Sequence, residues 1–217
     1  MHHETHEICP KLLSMTDFIR FFIPLYFILF FAVSFVGISY KVAKQIGKSP
    51  NVLPRDDSAY GLVGLYFKIV LFALFMYVML LSFFIEDISS AFKISFLENI
   101  TIQYAGSILM ILALIWVITA QVQMKKSWRI GIDSTTKTDL VTHGLFRFSR
   151  NPIFLGMTVS LVGFFLVIPT VIALVFLLIG SILMQIQIRL EEEYLMKVHG
   201  QNYLTYKNRV KRMFGLY

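Results

Sequence analysis

The sequence predicts an all-α, polytopic membrane protein, and three observations carry that prediction. Of its 217 residues 57% are hydrophobic and only 15% are charged, against about 25% charged in a soluble domain. The mean hydropathy is +0.70. The basic residues cluster between the apolar runs instead of within them, as they do in membrane proteins. This balance excludes a disordered chain, a collagen, a coiled coil and an ordinary soluble globule. The single cysteine, Cys9, excludes an intramolecular disulfide framework. The net charge of +7 does not signal nucleic acid, because no Lys/Arg ladder interleaved with aromatics lies outside the apolar runs.

A membrane span needs about 20 apolar residues. The first run, 18–40, is broken only by Arg20 near its outer end and Pro24 in its first turns. The second, 61–85, has Lys68 as its only charge, and the third, 100–122, has none. The last stretch, 153–188, is uncharged for 36 residues. As one helix it would reach about 54 Å, far beyond a hydrocarbon core of about 30 Å. Ile168-Pro169-Thr170 sits near its middle, and proline starts helices better than it continues them. Two short spans, 153–168 and 170–188, joined by a tight hairpin are therefore expected. The whole chain, 1–217, reads as one membrane-embedded domain of five spans.

Charge gives the expected orientation. Lys41, Lys44, Lys48 and Arg55 separate spans one and two, and Lys125, Lys126, Arg129, Lys137, Arg147 and Arg150 separate three and four. Arg189, Lys197, Lys207, Arg209, Lys211 and Arg212 follow span five. Sixteen of the 20 basic residues thus fall on one face of a five-span chain, and the positive-inside rule makes that face cytoplasmic. The N-terminus is expected outside and the C-terminus inside. Residues 1–16 are polar and lead into an uncleaved anchor. His2 and His6 have a metal-compatible spacing, but a solvated chain end is the expected reading, and no metal site is predicted.

Polar residues that solubility does not require carry the functional signal in such a chain. Two segments hold nearly all of them. In the first, 137–156, the chain turns at Gly144 and enters span four behind Asn151-Pro152, a helix-start signal. The free N–H groups there offer an anion site at the helix N-terminus. In the second, 185–212, span five continues as a helix toward a stop at Gly200. It carries three consecutive carboxylates, Glu191, Glu192 and Glu193, with Gln187 one turn before Glu191. Taken singly, each feature suits a lipid-phosphate anchor, an interfacial aromatic or a solvated helix face.

Together the segments resemble the C-terminal signature of integral-membrane methyltransferases, the isoprenylcysteine carboxyl methyltransferase and phospholipid methyltransferase family. The matching residues are Leu140-Val141, Gly144, Phe146, Arg150-Asn151-Pro152, Phe154 and Gly156, then Glu191-Glu192, Leu195, His199-Gly200, Tyr203 and Tyr206. The resemblance covers about the last 80 residues, and implies S-adenosylmethionine as cofactor and a lipid or lipid-modified acceptor entering sideways from the bilayer. It implies a cofactor-binding and catalytic region over 137–212. Within it, Thr138, Asp139, Leu140, Val141, Phe146, Asn151, Pro152, Ile153 and Phe154 would hold the cofactor. Glu191 would handle substrate and act in catalysis with Glu192 and Arg150, and Gln187 would contact the acceptor. Asn151 stands where the family usually has His, and Phe146 and Phe154 where it has Tyr. Gln187 replaces the Arg of the prenylcysteine enzymes, which weakens the case for a prenylcysteine carboxylate.

The chemistry asks little of the protein beyond in-line alignment and exclusion of water. A carboxylate acceptor needs no base, whereas an amine must lose a proton that Glu191, Glu192 or His143 is able to take. Two other readings share the helical layout. One is a membrane-embedded, NADPH-dependent reductase of the steroid reductase type; the other is a non-catalytic membrane scaffold.

Overall fold

The apolar runs become helices, and small polar residues just before them fix where those helices begin. The computed structural model describes residues 14–53, 58–131 and 138–214. His2, His3, His6, Cys9, Arg55 and Lys137 lie outside the described residues. Helix α1, Met15–Phe31, starts behind Ser14, whose Oγ accepts from the Asp17 N–H at 3.1 Å. It passes Pro24, widens into a π-turned stretch at Ala32–Gly37 and continues as α2, Ile38–Ile46. Helix α3 is Ala59–Phe92, capped by Ser58, and α4 is Ile100–Met124, capped by Asn99. Helix α5, Pro152–Val167, has proline in its first turn, and α6, Val171–His199, is capped by Thr170. Gly200, at φ 50°, then turns the chain into α7, Gln201–Arg209.

The described residues form no β-strand, and the architecture is all-α. Among the described residues, four helices are long and apolar enough to cross a membrane: Met15–Ile46, Ala59–Ile88, Ile100–Ser127 and Val171–His199. Pro152–Val167 is a shorter apolar helix beside them. Phe21, Phe72 and Phe83 point outward with 66–76% of their surface exposed, which suits lipid and not water. The protein is an integral membrane protein by these features.

Helix α3 outruns the apolar run that predicts it. Glu86 and Asp87, past the end of the run at 85, ride on the helix because no Gly or Pro interrupts 65–92. A kink at Phe84 marks where the apolar run gives out. Beyond it Glu86 accepts from Arg20 of α1 at 3.3 Å.

Loop contacts define two ends. At one, the Ile94 N–H donates to the Pro169 carbonyl at 2.7 Å, tying the α3–α4 loop to the α5–α6 turn. At the other, the Val52 N–H donates to Ile130 O at 2.9 Å and the Ile130 N–H to Pro50 O at 3.0 Å. There too the Arg150 N–H donates to Lys211 O at 3.0 Å, so all three basic segments gather at the second end.

The core centres on Phe164 of α5, which is fully buried and meets Phe27 of α1 and Tyr77 of α3 edge to face. Helices α4 and α5 approach most closely, through small residues that let backbones meet in a membrane. A Cβ on Gly163 would lie 2.7 Å from Met110 Cγ and 2.8 Å from the Gly106 carbonyl. Buried polar pairs lock the other helices: Tyr26 to Ser160 at 2.7 Å, and Tyr77 to Thr170 at 2.9 Å.

Replacing Gly163 by Ala should lower stability by about 1–3 kcal/mol, the cost of overpacking. A Cβ on Gly64 meets only the flexible Leu53 Cδ2 at 3.3 Å, so Gly64→Ala should leave stability unchanged or raise it. Thermal unfolding in detergent checks the pair, and equal losses would contradict close α4–α5 packing.

Candidate active site

At the basic end, the loop before α5 is built around one obligate geometry. Gly144 sits at φ 60°, and a Cβ there would run into the Gln123 carboxamide. That carboxamide needs the space, because its Oε1 accepts from the Leu145 N–H at 2.8 Å. The following turn brings Phe146 inward and leads to Ser149-Arg150-Asn151, all buried. The sequence reading gives Asn151 a helix-capping role; the side chain makes no cap bond. Its Nδ2 donates instead to the Arg212 carbonyl at 3.0 Å, and the Ser149 hydroxyl accepts from the Asn151 N–H at 3.1 Å.

The C-terminal segment is fastened to this loop by a buried ion cluster. Arg150 donates through Nη2 to Glu192 Oε1 at 2.9 Å, with side chains only 4% and 7% exposed. Its Nη1 donates to the carbonyls of Lys207 at 2.7 Å and Val210 at 3.0 Å. Arg212 grips the same carboxylate from the other side, at 3.1 Å to Oε1 and 2.8 Å to Oε2. Helix α7 adds Tyr203 and Tyr206, which with Val210 just beyond it pack against Leu140, Leu195 and Met196. Burial raises the Tyr206 hydroxyl above its ordinary titration range, so it stays a neutral donor, bonded to the Phe146 carbonyl at 2.7 Å.

Above this clasp lies a cavity of about 250 Å³. The stretch Thr138–Val141 forms one wall, Phe146 and Arg150 through Phe154 another. Gln187, Glu191 and Leu195 of α6 line it from the side. Glu191 is half-buried there and accepts from Gln187 Nε2 at 2.9 Å. Glu192, also expected at the site, is not among the lining residues, because both guanidiniums engage it in the clasp. His143 lines a neighbouring basic cavity of about 700 Å³ that shares the Asp139–Val141 wall.

The cavity reaches the apolar part of the molecule. Phe30 and Phe35 of the first helix and Phe67, Lys68 and Leu71 of α3 also line it. Lys68, the one charge of the second apolar run, is exposed as well as lining, so the cavity meets the protein surface at α3. A narrow apolar crevice of about 50 Å³ shares Phe30, Phe35, Phe67, Leu71 and Met157 with it and continues between α1, α3, α5 and α6.

Two residues that sequence reasoning missed stand out. Gln121, in the last turns of α4, borders both cavities and is 3% exposed. Its Oε1 is buried without a partner, as is Arg150 Nε. Arg212 is the second, as the outer jaw of the clasp. The signal for Gln121 was a polar residue at the end of an otherwise apolar run.

These features fit an adenosine-type sulfonium ligand. Phe146 and Phe154 are flat walls, Arg150 Nε is an unused donor, Gln121 Oε1 an unused acceptor, and Glu191 is a carboxylate that complements a cation. Residues 102–202 match the family model described as phospholipid methyltransferase. The match holds the resemblance read from the C-terminal motifs and extends it upstream through α4. No curated protein and no solved structure matches the chain.

Arg150→Ala leaves Glu192 buried with only its outer partner and strips the donor from two tail carbonyls. The expected loss is about 3 kcal/mol of stability, read from thermal unfolding in detergent. Arg147 is exposed three residues earlier, and Arg147→Ala should stay within about 0.5 kcal/mol of wild type. Similar small effects from both would reduce Arg150 to a surface anchor.

Proposed function

We propose, from a chain that carries the phospholipid methyltransferase segment over 102–202, that it transfers a methyl group from S-adenosylmethionine to a carboxylate or amine on a lipid or lipid-modified acceptor. The observation that carries this reading is the convergence of the motif residues and Glu191 on one cavity that continues into an apolar crevice. Bound S-adenosylmethionine would supply a methyl group already activated on a sulfonium. Thr138–Val141, Phe146 and Asn151–Phe154 would hold its nucleoside, and Arg150 Nε its anionic end. Glu191 balances the sulfonium charge and, for an amine acceptor, takes the proton that the amine must lose. Gln187 steadies that carboxylate by donating to Oε1. The apolar rim excludes water, while the crevice accommodates part of a lipid chain. Glu192 acts through the clasp as a positioning residue.

Calorimetry in detergent tests the assignment. S-adenosylhomocysteine should bind and NADPH should not; the reverse would favour a reductase, and binding of neither would favour a scaffold. Glu191→Gln should keep S-adenosylhomocysteine affinity within about tenfold of wild type, because the carboxylate serves the acceptor more than the adenosine. Turnover on a verified acceptor should be abolished, and a variant that still turns over normally would remove Glu191 from catalysis.

We assign the basic end, with the cavity, to the cytoplasmic face, since positive charge is retained there during insertion. In a Cys9→Ser background, Ser90→Cys at the end of α3 should label from outside intact cells and Thr205→Cys in α7 should not. Labelling of both from one side would sink the five-span topology.

A further inference from the structure

One buried polar atom beside the cavity is preset for a ligand of defined chemistry. Gln121 donates through Nε2 to the Ser34 carbonyl at 3.0 Å, in the π-turned stretch of the first helix. That bond fixes which way the carboxamide faces: a flipped amide would set Oε1 against the Ser34 oxygen. Oε1 is consequently held as an acceptor, buried and unpartnered, in a residue that lines the cavity. A buried acceptor without a donor is costly and rare in folded proteins.

Charge and shape select the donor. Lys41, Lys125 and Lys126 line the neighbouring cavity that Gln121 also borders and outnumber its one carboxylate, Asp139, so a cationic donor such as an ammonium is disfavoured there and is drawn to Glu191 instead. Phe30, Val117 and Met124 border the same space, which favours a flat, neutral, weakly hydrated group. An aromatic amine meets both conditions.

Resting on the cofactor reading above, we infer that Gln121 Oε1 accepts a hydrogen bond from the 6-amino group of the bound adenine, and so selects adenosine over 6-oxo nucleosides. A 6-oxo purine would present an oxygen to an oxygen, and the Ser34 bond prevents the amide from turning to compensate.

The test compares S-adenosylhomocysteine with S-inosylhomocysteine, its 6-oxo analogue, by calorimetry on the detergent-solubilised full chain. Wild type should bind the 6-amino compound about ten- to a hundredfold more tightly, the scale of one buried hydrogen bond. Gln121→Met, similar in volume and without the acceptor, should bind S-adenosylhomocysteine less tightly and bring the two affinities within about threefold. Equal binding by wild type overturns the inference while leaving the cofactor reading intact. A Gln121→Met variant that retains the wild-type ratio also overturns it, by moving the selection to another acceptor. Binding of neither compound by wild type overturns both readings. The wild-type ratio requires no variant, so the inference stays refutable even where Gln121→Met does not fold.

Discussion

A buried carboxylate held between two guanidiniums organises this end of the molecule. Removing Glu192 from water is expensive, and the cost is recovered only when its oxygens are fully engaged. Arg150 and Arg212 do that from opposite sides, and Arg150 also binds two carbonyls of the segment that delivers Arg212. Satisfying one charge thereby joins α6, the loop before α5 and the chain after α7. With those three pieces fixed, Tyr206 reaches the Phe146 carbonyl and Leu140 is packed beneath the α7 aromatics. The two walls of the cavity are thus set by a group that does not line it.

Within the apolar body, hydrogen bonds substitute for shape where helices slide easily. Tyr26 to Ser160, Tyr77 to Thr170 and Gln121 to Ser34 each join residues distant in sequence. A polar side chain between helices has few alternative partners in such surroundings, so each bond specifies register as well as contributing stability. The small residues of α4 and α5 do the complementary task, bringing two backbones close enough that no lipid or third helix can separate them.

Much of this was legible in the sequence because membranes impose coarse rules. Run length gave the helices, Pro169 the hairpin, and basic clustering the gathered loops. The motif residues were legible through resemblance, and the structure puts Thr138–Val141, Phe146, Arg150–Phe154, Gln187 and Glu191 around one cavity. Partnership was not legible. Nothing in a run of three glutamates says that Glu191 faces a cavity while Glu192 faces two arginines, since neighbouring helix positions differ by about 100° in direction. Asn151 before proline looks like a cap, and only the position of the Arg212 carbonyl redirects it. Helix α7 escaped notice because its two buried tyrosines sit in a strongly polar nonamer.

The brevity of α5 has a mechanical consequence. Its 16 residues rise about 24 Å, some 6 Å less than an average hydrocarbon core. One end is tethered to the α3–α4 loop through Pro169, and the other, through Asn151, to the C-terminal tail. None of the residues of α5 is exposed, so the longer helices packed around it, and not lipid, bridge that difference. Trp116 Nε1 donates to the Pro152 carbonyl at 2.9 Å, so α5 starts about two turns short of the end of α4. The loop that walls the cavity is thereby recessed among the helices, and its depth is set by a single proline-bounded helix.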